Sequence, residues 1–159
     1  IQASLDAGSF KTFYLPDGMI GDSLPKAIGK SLNGSIGTVP GTDSPGATKF
    51  NEIATANNLK AGPYTKESYD SASLIMLAMQ AAKSTNSNDF KSKVMEVANA
   101  PGEKIYPGEL AKGLKLLSEG KEIDYVGASA VELIGGGESS GNFAEILIDN
   151  QKVTTVGYR

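Results

Sequence analysis

The chain has 159 residues, 40% of them hydrophobic, and carries 15 basic against 18 acidic side chains for a net charge of −3. That suits one ordinary domain or one and a half small ones, with enough apolar residues for a packed core. No basic run or basic–aromatic weave is present, which excludes nucleic acid as a partner. There is no cysteine and no histidine, so disulfides, thiol nucleophiles, Cys-ligated metals, the commonest general base and the commonest metal ligand are all missing. Absence of cysteine fits an oxidising compartment such as the bacterial periplasm, and is shared by many cytosolic proteins. The longest apolar run, Leu74 to Met79, is far short of the roughly 20 residues a membrane-crossing helix needs.

In chain order, "IQASLDAGSF" reads as the end of a helix closed by a Gly cap at Ala7-Gly8, a start inside an element that suggests a fragment or a processed piece. Residues 11–15 read as a strand running into Pro16-Asp17-Gly18. Pro presets φ at the second turn position, Asp can bond its own backbone and Gly accepts φ > 0, so a β-turn accounts for the triplet. The same residues put a carboxylate at the carboxyl end of a strand, where open α/β sheets bind ligands. "DSLPKAIGKSL" predicts a short helix capped by Asp22 or Ser23, and "GSIGTVPG" a second short strand. "TDSPGAT" is turn-rich and reads as a linker or hinge.

The spacing of Phe50, Ile53 and Ala54 predicts a helix over 45–58. "KESYDSASLIMLAMQAAK", 66–83, predicts a helix that Thr65 can cap; apolar nearly all round from Leu74 to Met79, it should be buried, with Met76 and Met79 as core. Phe90, Val94, Val97 and Ala98 mark one helix capped by Asn88 or Asp89 and stopped at Pro101-Gly102; Leu110, Leu114 and Leu117 mark another stopped by Gly120. "NFAEILIDNQKVTTVGY" alternates with a period of two and turns at Asp149-Asn150, a β-hairpin. Strands and helices alternate early, helices dominate the middle and a hairpin closes the chain, which makes the fold class α/β.

Several motifs fail on context. "GESSG", Gly137 to Gly141, matches a nucleophile elbow with Ser139, but no His is present and a strand follows, so it reads as a flexible loop. Gly29-Lys30-Ser31 resembles the end of a phosphate loop, yet Leu24 stands where the first Gly is needed. Gly135-Gly136-Gly137 lacks the dinucleotide-binding spacing, and Asp43 and the other acids form no evident acid–base pair. No catalytic residue, metal ligand or cofactor site emerges.

Three segments, in this order and spacing, resemble the branched-chain amino-acid substrate-binding proteins of ABC importers, the type I periplasmic binding proteins: "YLPDGM", "GPYTKESYDSASLIMLAMQAA" and "LSEGKEIDYVGASAVELIGGGESSGNFAEILIDNQKV". The chain departs from that pattern in "LIGGGESSG", where an Asp-bearing loop is usual, and at Ala130, where Gly is common. The resemblance implies part of a two-lobed fold of parallel sheets flanked by helices. Residues 1–42 and 140–159 would be pieces of the C-terminal lobe and 43–139 a piece of the N-terminal lobe, with the hinge near Thr38 to Pro45 and the N-terminal half of the protein absent. Asp17 then matches the acid that binds the ligand's α-ammonium, Gly18 the Gly that lets backbone approach the ligand, and Tyr64 a position that packs on the ligand side chain. The implied partners are an amino acid and an inner-membrane ABC permease, in the periplasm or lipid-anchored outside the cell, with the fragment completed by another polypeptide or a second copy. A ligand-sensing domain of the same fold is the alternative; an α/β hydrolase is a second, against which the missing His and Cys count.

Overall fold

The computed structural model describes residues 1–159. The elements run α1 (Gln2–Asp6), β1 (Tyr14–Leu15), α2 (Ser23–Ile28), β2 (Ile36–Pro40), α3 (Pro45–Ala56), α4 (Thr65–Ala82), α5 (Ser87–Phe90), α6 (Lys93–Ala98), β3 (Glu103–Ile105), α7 (Leu110–Ser118), β4 (Ile123–Tyr125), β5 (Leu133–Gly135), β6 (Glu138–Ser139), β7 (Phe143–Asp149) and β8 (Lys152–Tyr158). Single 3-10 turns lie at Asp17–Met19 and Gly29–Leu32. The chain divides into two compact units, Ile1–Thr42 with Asn142–Arg159, and Asp43–Gly141. No helix is long and apolar enough to cross a membrane.

The first unit is a four-stranded sheet in the order β1-β2-β7-β8, with β1 parallel to β2 and the other pairs antiparallel. Alternation in β7 decides its register: Ala144, Ile146 and Ile148 are buried while Phe143 and Asp149 are exposed, and a slip of one residue would turn the whole apolar set to water. Leu15, Leu32, Ile146 and Ile148 form the core, with Leu24 and Ile28 of α2 laid against it. Gly37 is required at its place in β2, because a Cβ there would collide with the Leu15 carbonyl oxygen of the parallel neighbour. The hairpin turn is Asn150–Gln151, one residue beyond the expected Asp149–Asn150. Both turn residues have positive φ, 49° and 61°, the mirror-image turn whose twist suits paired strands.

The second unit packs α4, α6 and α7 on a short parallel pair, β3 and β4. Leu74, Leu77 and Ala78 of α4 meet Val97, Ile105 and Ile123. Gly113, inside α7, lets that helix approach α4: a Cβ there would sit 2.9 Å from Leu77 Cδ2. Parallel strands with flanking helices give the α/β architecture expected.

Local expectations in this unit need correction. α4 is buried on one side only; Ile75 and Met76 are 43% and 42% exposed, since a helix facing one layer of partners buries one stripe however apolar the rest is. Met76 is therefore not core. Thr65 does not cap α4. Its hydroxyl exchanges bonds with the backbone of Gly62, and left-handed Tyr64 (φ 65°) opens the helix. The helix expected over 88–98 breaks into α5 and α6, and the cap is Asn86, whose side chain accepts from Asn88 N at 2.9 Å. Part of the turn-rich stretch is already helical: Pro45 is in the first turn of α3 and Ser44 Oγ accepts from Ala47 N at 3.2 Å. "GESSG" is not a free loop, because Glu138–Ser139 pairs with Leu133–Gly135.

Candidate functional site

Asp17 follows β1 directly. Pro16 is extended (φ −69°, ψ 162°), then the chain makes one 3-10 turn in which Met19 N donates to Pro16 O at 2.9 Å and Ile20 N to Asp17 O at 3.0 Å. Pro16 is thus the first residue of the turn, not the second, and Gly18 is not at positive φ. Asp17 is exposed, with Oδ1 accepting from Gly18 N at 2.6 Å. A Cβ on Gly18 would meet nothing within 4 Å, so its backbone is open to an approaching group although the turn itself does not demand glycine. Beside it, Gly18 to Gly21, Ser23 and Leu24 line a shallow hollow of about 250 Å³. Both residues belong to the first unit; Tyr64, 41% exposed, belongs to the second.

The second unit contains a polar centre that the sequence reading did not single out. Asp70 of α4 is 2% exposed. Its Oδ1 accepts from Tyr125 Oη at 2.9 Å and Ala128 N at 2.7 Å; its Oδ2 accepts from Ser129 N at 2.7 Å and Ser129 Oγ at 2.6 Å. The loop after β4 wraps the carboxylate closely: Gly127 has φ +65°, and a Cβ there would lie 2.6 Å from the carboxylate atoms. A buried charge is tolerated when hydrogen bonds replace its hydration, and here four donors do so. Burial first, and then the neighbouring Asp70 charge, push the Tyr125 phenol well above its ordinary value.

The loop after β3 is tied down in the same region. Gly108 N donates to Tyr69 Oη at 3.1 Å, Tyr69 meets Phe50 edge-on at 5.3 Å, and Lys49 Nζ stands 4.3 Å from the Tyr106 ring centroid. Both loops at the carboxyl ends of the parallel pair are therefore held by α3 and α4. Asp70 has no acceptor capacity left over for chemistry; it fixes the shape of the loop. Its signal in the sequence is position. Asp70, Ser73, Leu74 and Leu77 are spaced i, i+3, i+4 and i+7 on the buried stripe of α4, and an acid on such a stripe must have partners.

A groove of about 450 Å³ lies at the opposite, amino ends of β3 and β4, floored by Val97, Leu117 and Ile123. Its rim lysines are already paired, Lys93 with Glu96 and Lys121 with Glu119, each at 2.7 Å.

A scan of protein families finds no match for this chain, and a search of curated proteins finds none. Among solved structures, the chain is similar to the leucine-binding protein LivK of Thermotoga maritima, with a TM-score of 0.70 and 15% sequence identity over 98% of this chain. The fold is therefore that of a portion of a type I periplasmic binding protein. The chain spans 39% of the length of that leucine-binding protein.

Proposed function

We propose that this chain is part of an extracytoplasmic solute receptor, the binding component of an ABC importer for branched-chain or related amino acids. The observation that carries the reading is the fold likeness to a leucine-binding protein over nearly the whole chain. In this reading the two units are pieces of two lobes, further polypeptide completes both, and the ligand is held when the lobes close on it. Closure of that kind is driven by contacts the ligand makes with both sides, and the closed form docks on a membrane permease.

Within the first unit, Asp17 supplies the carboxylate that pairs the ligand's ammonium. It stands exposed at the carboxyl end of β1 with one oxygen held by Gly18 N, so the group is oriented while the rest of it stays available. Gly18 leaves the backbone open beside it. Tyr64, in the second unit, contributes aromatic surface for the ligand's side chain. The protein binds its ligand and does not transform it.

The reading is tested by native mass spectrometry of the complete receptor purified from cells, followed by calorimetry with an amino-acid panel. An amino acid retained in the native spectrum and micromolar or tighter binding in the panel are expected. Silence across the panel with a folded receptor refutes the amino-acid assignment.

A further inference from the structure

Two pairs in the chain set an Asp or Asn side chain before a glycine, Asp17-Gly18 and Asn33-Gly34. Glycine has no Cβ to shield its own nitrogen, so in both pairs the backbone nitrogen can close on the preceding side-chain carbonyl. In an unfolded chain the Asn-Gly pair closes faster, because a neutral amide is a better electrophile than a carboxylate. The fold reverses that order. Gly34 N donates to Ile148 O at 2.8 Å, Asn33 Oδ1 is buried, and Leu32 and Ser35, which bracket the pair, are fully buried. Ring closure at Asn33 would require this edge of the core to open.

At Asp17 no such restraint exists. Asp17 and Gly18 are both exposed. Gly18 N is given to no backbone carbonyl; it donates to Asp17 Oδ1 at 2.6 Å, which sets it beside the carboxyl carbon it would attack. A Cβ on Gly18 would meet nothing within 4 Å, so no neighbour crowds the nitrogen. Two backbone bonds close the turn, Met19 N to Pro16 O and Ile20 N to Asp17 O, and an exposed turn held so lightly opens at little cost.

We propose that Asp17-Gly18 isomerises spontaneously in the folded receptor, aspartate becoming isoaspartate. Gly18 N bonds to Asp17 Cγ, and its proton leaves with the carboxyl hydroxyl as water. Water then splits the cyclic imide. Breaking the bond from Gly18 N to Cγ restores aspartate; breaking the bond from Gly18 N to the Asp17 main-chain carbonyl leaves the chain running through Cγ. No oxidant or reductant is consumed. The product keeps its charge, but the backbone gains a methylene and the carboxylate now sits directly on Cα. Loss of ligand binding follows from this displacement and rests on the role proposed for Asp17; the rearrangement itself does not. The test ages the complete receptor in warm neutral buffer, folded and in denaturant, and locates isoaspartate by enzymatic methylation of isoaspartyl carboxyls with peptide mass spectrometry. In the folded receptor isoaspartate should accumulate at position 17 while Asn33 keeps its amide; in denaturant Asn33 should react first. Gly18→Ala should slow the rearrangement several-fold, and the fraction of parent receptor able to bind an amino acid should fall in step with its isoaspartate. An unchanged Asp17 in the aged folded receptor, Asn33 reacting ahead of it there, or an undiminished rate in Gly18→Ala overturns the proposal. Isoaspartate at position 17 with binding intact would instead leave the rearrangement standing and sink the ligand role of Asp17.

Discussion

Replacing Asp70 with Asn keeps the side chain's shape and removes its charge. Four donors converge on the carboxylate at 2.6–2.9 Å. If the Asn oxygen stays with Tyr125 and Ala128, its NH₂ faces the backbone N–H and the hydroxyl of Ser129. The hydroxyl can rotate and accept. The N–H cannot, so two donors meet and a buried backbone group loses its partner. A hydrogen bond to a charged group contributes about 1.5–3 kcal/mol, and a buried donor left unmade costs about 1–3 kcal/mol. Part of this is offset because an amide is less costly to bury than a carboxylate. A net loss of about 2–4 kcal/mol follows, which for a chain of this size lowers the melting temperature by roughly 5–15 °C. Denaturant titration followed by circular dichroism measures the loss, and hydrogen exchange localises it: the amides of Ala128 and Ser129 should lose protection while those of β7 keep theirs. A variant within about 0.5 kcal/mol of the parent, the scatter of an ordinary surface change, would show that the carboxylate does not hold the loop.

Asp17→Asn in the complete receptor should weaken amino-acid binding by about a hundredfold or more, on the order of 3 kcal/mol, while folding changes little because Asn suits a turn as well as Asp; calorimetry showing a shift under about threefold with the fold intact would leave Asp17 as a turn residue only. Gly18→Ala should leave stability unchanged because nothing lies within 4 Å of the new methyl, whereas Gly37→Ala should cost about 1–3 kcal/mol through collision with the Leu15 carbonyl; equal melting temperatures for the two would contradict the packing described. Tyr125 is held protonated in the fold by burial and by Asp70. Because its pKa is raised, the fold keeps the full advantage of the neutral phenol below the ordinary value near 10 and loses it as pH climbs above that value. Absorbance titration should therefore show one of the six tyrosines ionising only with unfolding, and Tyr125→Phe should flatten the alkaline loss of stability at a cost of about 1.5–3 kcal/mol at neutral pH, because the lost hydrogen bond is to a charged group; six tyrosines titrating together in the native protein would refute this.

Sequence alone determined the elements whose causes are local. The alternation from Phe143 to Tyr158 specifies the closing hairpin, with a shift of one residue in its turn. Leu110, Leu114 and Leu117, followed by Gly120 at φ 75°, specify α7 and its stop. The order of three short segments was enough to indicate the type I periplasmic-binding-protein fold, although identity to a solved member is 15%. A turn at a strand end was legible at Asp17 and Gly18 because these residue types favour turns, but its register was not: Pro16 opens the turn instead of standing second, and Gly18 is not at positive φ. Tertiary structure decided what depends on partners distant in the chain. Strands of three residues such as β3 and β4 are too short to carry a period, and are strands only because each has the other, with α4 and α7 packed against them. Ile75 and Met76 looked like core because hydropathy cannot say on how many sides a helix will be covered. Asp70's place on the apolar stripe of α4 calls for partners, but which partners is decided only when the chain brings Ala128, 58 residues away, within 2.7 Å of it. A carboxylate's worth in a fold is set by the donors that replace its water, and those donors are backbone groups that every residue carries, so no residue type announces them.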